Sequence, residues 1–163
     1  MSGWANPAQG RRGEAAVIFR AGGQRFIISS AEIAEVRDLQ PSASGRLPRA
    51  IATRGNLRQL PVVWADSVFG VRSAAPLQLL VLAHRGVAVV IERIEGVTEL
   101  REMVALPRAF HGPERRWYRG LARFEGKILP VVNAAVFAEL AVSPVPIEAA
   151  ASAAGSMEAK AGL

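Results

Sequence analysis

Cysteine is absent from all 163 residues. That excludes a disulfide framework and any thiolate metal site, and nothing argues for an oxidising compartment. Long hydrophobic runs are missing too. The longest, Leu77–Ala83 and Val87–Ile91, are too short to cross a bilayer. Met1-Ser2-Gly3-Trp4-Ala5-Asn6-Pro7 has no apolar core of the kind a signal peptide needs, so a cytoplasmic location is expected. Histidine occurs only at His84 and His111, neither at ligand spacing from another metal-binding residue, and both read as exposed loop positions. No G-x-S-x-G string is present, and Gly22-Gly23 lacks the Lys-Ser/Thr and long helix of a phosphate loop. The carboxylate pairs Glu92/Glu95 and Glu99/Glu102 read as polar positions of a β-rich segment. The chain is therefore expected to be no enzyme and to hold no cofactor and no metal. Lysine is scarce as well. Of 20 basic residues only Lys127 and Lys160 are lysine, and the net charge is +6. Arginine in place of lysine, with abundant Ala and Gly, is the signature of GC-rich coding sequence, so charge alone points only weakly to nucleic acid.

What the chain does have is a repeated string. Leu-Pro-Val-Val runs over Leu60–Val63 and again over Leu129–Val132, 69 residues apart. Each copy flows into a short Ala-containing segment ending in Val-Phe, at Val68-Phe69 and Val136-Phe137. That spacing is too long for a solenoid and suits two small related subdomains. Around the strings the pattern is mostly strand. Ala16–Arg20 and Gln24–Ile28 flank Gly22-Gly23 as a hairpin, and Leu77–Ala83 with Val87–Ile91 flank His84-Arg85-Gly86 as another. The strands of the second pair are apolar almost throughout, so both faces should be covered. A third hairpin, Trp117–Phe124 with Lys127–Val132, turns at Glu125-Gly126. Ile94–Val104 reads as one longer strand. Ser29 followed by Glu32 fits a capping box and predicts one or two helical turns through Ile33 and Val36. Asn133 is placed to cap a short helix through Leu140.

Short strands at regular spacing with Gly turns predict small barrels. The expected fold is mainly β: two five-stranded SH3-like β-barrel subdomains around a shared core, with short helices. Residues 1–14 read as a disordered lead-in, 15–142 as the folded domain and 143–163 as an Ala-rich flexible tail. Arg108, Arg115, Arg116, Arg119 and Arg123 surround Trp117-Tyr118, while Arg46, Arg49, Arg54 and Arg58 form a second group. Arginine beside aromatic rings on a small barrel can bind single-stranded nucleic acid, or it can rim a protein-binding surface.

Several short strings, taken in order, resemble those of the CheW-type coupling proteins of bacterial chemotaxis. They are Val17-Ile18-Phe19 with Phe26-Ile27-Ile28, then Ile33-Ala34-Glu35-Val36, then Asn56-Leu57-Arg58 ahead of Pro61-Val62-Val63. Val90–Val97, Tyr118-Arg119-Gly120 and Ile128–Asn133 complete the set. Two departures stand out. The family's Gly after Asn-Leu-Arg is Gln59 here, and the interval to Pro61 is two residues shorter than usual, so the turn ahead of the first Leu-Pro-Val-Val copy reads as compressed. A competing alignment takes Arg54-Gly55 as the family's Arg-Gly and inserts two residues before Pro61. Arg58 is preferred, because the interval from Pro48 to Asn56 then needs no gap.

The resemblance implies a non-catalytic adaptor that binds the regulatory domain of a CheA-type histidine kinase and holds a chemoreceptor's cytoplasmic tip in a groove between the barrels. It would be cytoplasmic, without membrane insertion, and recruited to membrane receptor arrays. By position Glu35, Val36, Arg58 and Arg54 are receptor-side candidates. Leu79, Leu80, Leu121 and Phe124 are kinase-side candidates, with burial inside their own barrels as the competing role. Two other readings stand beside this one: an Arg-rich small-barrel nucleic-acid-binding protein, and a CheW-like scaffold serving a pilus, gliding or developmental pathway.

Overall fold

The computed structural model describes residues 13–39, 50–53, 56–70 and 77–142. Eleven strands and two short helices follow one another as β1 (Glu14–Ala21), β2 (Gln24–Ser29), β3 (Ile33–Leu39), β4 (Ala50–Thr53), β5 (Asn56–Trp64), α1 (Ala65–Phe69), β6 (Leu77–Leu82), β7 (Ala88–Ile91), β8 (Arg93–Leu100), β9 (Met103–Val104), β10 (Tyr118–Phe124), β11 (Lys127–Val132) and α2 (Ala135–Val142). They form a six-stranded sheet, β8-β1-β2-β11-β10-β9, and a five-stranded sheet, β3-β6-β7-β5-β4.

The three expected hairpins are present, and their turns explain themselves. Gly22 and Gly23 both have positive φ, as do Glu125 and Gly126, the conformation that two-residue hairpin turns demand. The first Leu-Pro-Val-Val copy lies in β5 and runs parallel to β7, with Val62 opposite Ala88. The second lies in β11 and runs parallel to β2, with Val131 opposite Ile27. Each copy is thus the hinge of one sheet, antiparallel to the strand before it and parallel to a hairpin elsewhere.

Those pairings make the sheets equivalent strand for strand, with β3-β6-β7-β5-β4 matching β8-β1-β2-β11-β10. The five-stranded unit is continuous in sequence. The six-stranded unit starts at β8, runs through α2, and is completed by the β1–β2 hairpin from the other end of the chain. Strand β9 is an extra edge strand with no counterpart.

Packing follows from alternation. In β6 and β7, Leu80, Leu82, Val89 and Ile91 face a core shared by the two sheets, while Leu79, Val81, Ala88 and Val90 fill the five-stranded unit's own interior. Burial on both faces is what their unbroken apolar sequence predicts. Likewise β1 and β2 send Val17, Phe19, Phe26 and Ile28 to the shared core, and Ala16, Ile18 and Ile27 to the other interior. The helices seal the shared core through Ala65, Val68, Val136 and Phe137. Phe69 stacks on Phe26 with ring centroids 4.2 Å apart and meets Phe137 edge-on at 5.9 Å. Gly70 ends α1 in the left-handed conformation, its N–H donating to the Asp66 carbonyl. Asn133 caps α2 as expected, its Oδ1 accepting from the Ala135 N–H at 3.2 Å.

Four expectations need correction. Ser29-Ser30-Ala31-Glu32 does not open an α-helix: only Ser30–Glu32 forms a single 3-10 turn, without a side-chain cap, and Ile33–Leu39 is strand. The β-branched Ile33 and Val36 favour strand, and Glu32 bonds Arg85 instead, through two contacts of 3.1 Å. Ile94–Val104 is not one strand, because β8 ends at Leu100 and β9 begins at Met103 on the opposite edge of its sheet. Glu14, placed in the lead-in, opens β1 opposite Leu100.

The fourth correction concerns the repeat. In the β4–β5 hairpin Ala50, Ile51 and Ala52 pair with Pro61, Leu60 and Gln59, but Thr53 then pairs with Asn56. In the β10–β11 hairpin Leu121 to Phe124 pair with Pro130 to Lys127 without interruption. The first copy is not compressed. It carries two additional residues, Leu57 and Arg58, as a bulge, and only residues 54 and 55 separate its paired strands, as Glu125-Gly126 do in the second. A two-residue insertion keeps inward and outward positions in phase.

Candidate partner-binding surfaces

Of the receptor-side candidates, Glu35 and Val36 lie on β3 and Arg58 on β5, strands that β6 and β7 separate in the five-stranded sheet. Among the described residues β3 is an edge strand paired with β6, so one side of its backbone has no strand neighbour. Opposed residues of an antiparallel pair point to the same face. Val36, opposite Leu80, is therefore on the shared-core face, yet it remains 42% exposed. Glu35 and Arg37 lie on the other face opposite Val81 and Leu79. Arg37 Nε donates to Glu35 Oε1 at 2.6 Å and its Nη2 to Oε2 at 2.9 Å, a two-point contact that raises the guanidinium pKa above its ordinary value. Arg58 belongs to the β5 bulge through its backbone. Arg54 lies outside the described residues.

Register exposes a residue that sequence reading missed. Ile33 pairs ahead of a bulge, then Val36 and Leu39 follow on β3; Ile94, Val97 and Leu100 do the same on β8. The two strands read Ile-Ala-Glu-Val-Arg-Asp-Leu and Ile-Glu-Gly-Val-Thr-Glu-Leu. Ile33 and Ile94 both pack on the shared core, and Leu39 and Leu100 both pack on their own unit's interior. Val97, the counterpart of Val36, is 73% exposed. This second internal repeat was the available signal. It was hidden because one copy was assigned to a helix and the other to an overlong strand.

Beside Val97 the strand is held by charge. Glu95 Oε1 lies 2.6 Å from Arg20 Nε and 3.2 Å from Arg93 Nη2, while Oε2 lies 2.6 Å from Arg25 Nε. Burial pushes the Glu95 carboxyl up, but Arg20 and Arg93, with Arg25, outweigh it and hold the pKa below the usual carboxylate range. Glu99 pairs with Arg101 and accepts the Gly13 N–H. Both Glu92/Glu95 and Glu99/Glu102 thus contribute carboxylates to ion pairs or backbone contacts that join β8 to the first hairpin.

The kinase-side candidates separate. Leu79 and Leu80 are fully buried, one in each of two clusters on opposite faces of β6, and present no surface to a partner. Phe124 is half-buried against the six-stranded unit's interior. Leu121 is half-buried on the opposite, outward face of β10, between Pro130 of β11 and Val104 of β9. Val104 is 66% exposed and Ile128, two residues from Pro130 on the same face, is 64% exposed. Arg123, opposite Ile128, edges this patch. An apolar centre with an arginine rim is the usual composition of a protein-binding surface.

The aromatic pair Trp117-Tyr118 is no free stacking platform. Both rings pack on the shared core, edge to face with each other at 6.4 Å, and Tyr118 stacks on Phe69 at 5.9 Å. His84 is exposed in the β6–β7 turn and His111 is exposed in a loop. Among the described residues no cluster of three or more His, Cys, Asp or Glu side chains could hold a metal, and no helix is long and apolar enough to cross a membrane.

A CheW-like domain model matches residues 15–142. The chain belongs to the CheW-like domain family. No individual curated protein shows a sequence match. The CheW-like fold is shared with the scaffolding protein TtCheW of Thermoanaerobacter tengcongensis, whose crystal structure superposes with a TM-score of 0.60 at 15% identity, covering 78% of this chain and 88% of that one. The two equivalent sheets are the paired SH3-like subdomains of that fold.

Proposed function

We propose that the chain is a non-catalytic signalling adaptor that couples chemoreceptors to a CheA-type histidine kinase. The observation that carries this reading is the separation of two kinds of exposed apolar surface on a rigid frame. One is formed by edge-strand valines, Val36 and Val97, at symmetry-related places on the shared-core face. The other is the outward patch Val104–Leu121–Ile128 with Pro130, on β9, β10 and β11. Membership of the CheW-like family supports the adaptor class, and TtCheW is itself described as a scaffolding protein.

In this reading the valines, with Glu35, Arg58 and Arg54, receive the helical tip of a receptor, and the outward patch packs against the kinase regulatory domain. Kinase control then comes from holding two partners in one geometry; no bond is made or broken. The adaptor works on the cytoplasmic side, where it is recruited to receptor arrays. Affinity for each partner arises from burial of the apolar centre, at roughly 25 cal/mol per Å², with the arginines setting orientation. The packing of Trp117 and Tyr118 into the shared core disfavours the nucleic-acid reading, because base stacking needs an open ring face.

Pull-down with a receptor-tip fragment and, separately, with a kinase regulatory domain tests the assignment. Val36→Asp should lose the receptor fragment and keep the kinase domain, and Leu121→Asp the reverse. Absence of binding to either fragment from the same genome would count decisively against the adaptor.

A further inference from the structure

The strands that carry Val36 and Val97 belong to different sheets, and one side chain ties them together. The chain leaves the five-stranded sheet at Ile91, the end of β7, and enters the six-stranded one at Arg93, the start of β8, with only Glu92 between. Gln78 of β6 lies opposite Ile91 on one side and opposite Asp38 of β3 on the other. Two residues before Leu80, it points to the same shared-core face. Its Oε1 accepts the Ile94 N–H at 2.7 Å, and its Nε2 donates to Asp38 Oδ1 at 2.9 Å. The neighbours fix the orientation of the amide, because a backbone N–H can only donate and a carboxylate can only accept. Asp38, Gln78 and Ile94 thus form one hydrogen-bonded line from β3 through β6 to β8, across the joint between the sheets. Asp38 is two residues from Val36, and Ile94 is three residues from Val97.

This line does not come with the repeated fold. Val36–Leu80 on β3 and β6 matches Val97–Val17 on β8 and β1, so Asp38–Gln78 matches Glu99–Ala15. Alanine has no amide with which to span the joint. The N–H of Ile33, the counterpart of Ile94, donates to the Ser30 carbonyl within its own turn. Among the described residues β8 is an edge strand, with β1 as its neighbour. A half-buried N–H at such an edge needs a partner, and Ile94 finds it in the other sheet.

We infer that Gln78 is a positioning residue for the receptor-side surface. It holds β3 and β8 at one spacing, so that Val36 and Val97 meet a helical partner as a single two-point site. Gln78 acts through the strands it joins and makes no contact with the partner itself. The partner's identity rests on the adaptor reading; the spacing rests on the hydrogen bonds alone.

Two readouts keep the spacing and the partner apart. The chain has no cysteine, so Val36→Cys with Val97→Cys takes one pair of spin labels and no others. Electron paramagnetic resonance of the doubly labelled full chain should give one narrow distance distribution, and Gln78→Leu should broaden it. Gln78→Glu keeps the Ile94 bond but sets a carboxylate against Asp38, and should broaden it as well. Adding Asp38→Asn to Gln78→Glu exchanges donor and acceptor, restores both bonds and should narrow the distribution again. In the unlabelled chain Gln78→Leu should weaken binding of a receptor-tip fragment about tenfold and leave affinity for a kinase regulatory domain unchanged. The Gln78→Glu, Asp38→Asn double variant should recover receptor binding. An unchanged distance distribution in Gln78→Leu overturns the proposal whatever the partner, and so does a broadened one with receptor affinity intact. Absence of receptor binding in wild type sinks the adaptor reading instead, and the label distances still decide whether Gln78 sets the spacing.

Discussion

Replacing Glu95 by Gln removes the single carboxylate on which three arginines converge. The Glu95 side chain is 14% exposed, and its partners Arg20 and Arg25 approach to 2.6 Å from the first hairpin. Exposed pairs contribute only about 0–1 kcal/mol, whereas removing one partner of a buried pair costs about 3–5 kcal/mol. A half-buried cluster lies between, so Glu95→Gln should cost about 2 kcal/mol at neutral pH. For a domain of this size that lowers Tm by about 8 °C. The sign of the pH dependence follows from the lowered pKa. Because the folded value is below the unfolded one, near 4.5, the stabilisation is complete above that value and is lost as pH falls through the folded pKa. Wild type and variant should therefore converge on acidification. Thermal melts followed by circular dichroism from pH 3 to pH 7 measure both quantities. A Glu95→Gln melt within 2 °C of wild type at pH 7, or a gap that does not close at low pH, would refute the reasoning.

Three further outcomes are expected. Gly120→Ala should detach β9, since a Cβ there would lie 2.6 Å from the Val104 carbonyl and 2.7 Å from Met103 Cγ; hydrogen exchange should show the Leu121 amide, opposite Val104, losing protection while Ala122, opposite Leu129 of β11, keeps it, at a stability cost of about 1–3 kcal/mol. Deleting Leu57 and Arg58 together should leave a hairpin that matches β10–β11 and a fold within about 1 kcal/mol of wild type, because an even deletion preserves facing; unfolding of that variant in a denaturant titration would contradict the bulge assignment. A circular permutant that begins at Ile33 and joins Val142 to Glu14 through a seven-residue link, the length of the Gly70–Pro76 connection between α1 and β6, should fold with the same circular dichroism spectrum, because β1–β2 completes the second unit.

How much of this was readable in advance depends on the range of the interaction. Glycine pairs at residues 22–23 and at 126 mark hairpin turns locally, and the unbroken apolar runs of β6 and β7 announce two-sided burial. Both signals act within a few residues. The closure of the six-stranded sheet does not, because β2 meets β11 across about a hundred residues through a parallel pairing that no local pattern encodes. Ser29 and Glu32 show the converse failure. Their spacing satisfies a local helix rule, but pairing of β3 with β6 outweighs it, as tertiary context does for short segments. Of the proposed receptor-side residues, Glu35 and Val36 were named from the resemblance, and Val36 is exposed. Leu79 and Leu80 were apolar strand residues like Leu121, and only the fold separates a residue buried on either face from one on an outward face. Val97 was missed because its repeat becomes visible only once register aligns β3 with β8. The bulge at Leu57-Arg58 was missed for a related reason: residues inserted into a strand leave no mark until the partner strand is placed.

The central claim is that one rigid two-unit frame holds two partners at once through separate surfaces. Co-elution of this chain with a receptor-tip fragment and a kinase regulatory domain measures that most directly. The adaptor account predicts a three-component peak that Val36→Asp reduces to chain plus kinase domain, and Leu121→Asp to chain plus receptor fragment. If the two fragments displace each other instead, or if one substitution removes both, the surfaces are not separate and the account is contradicted.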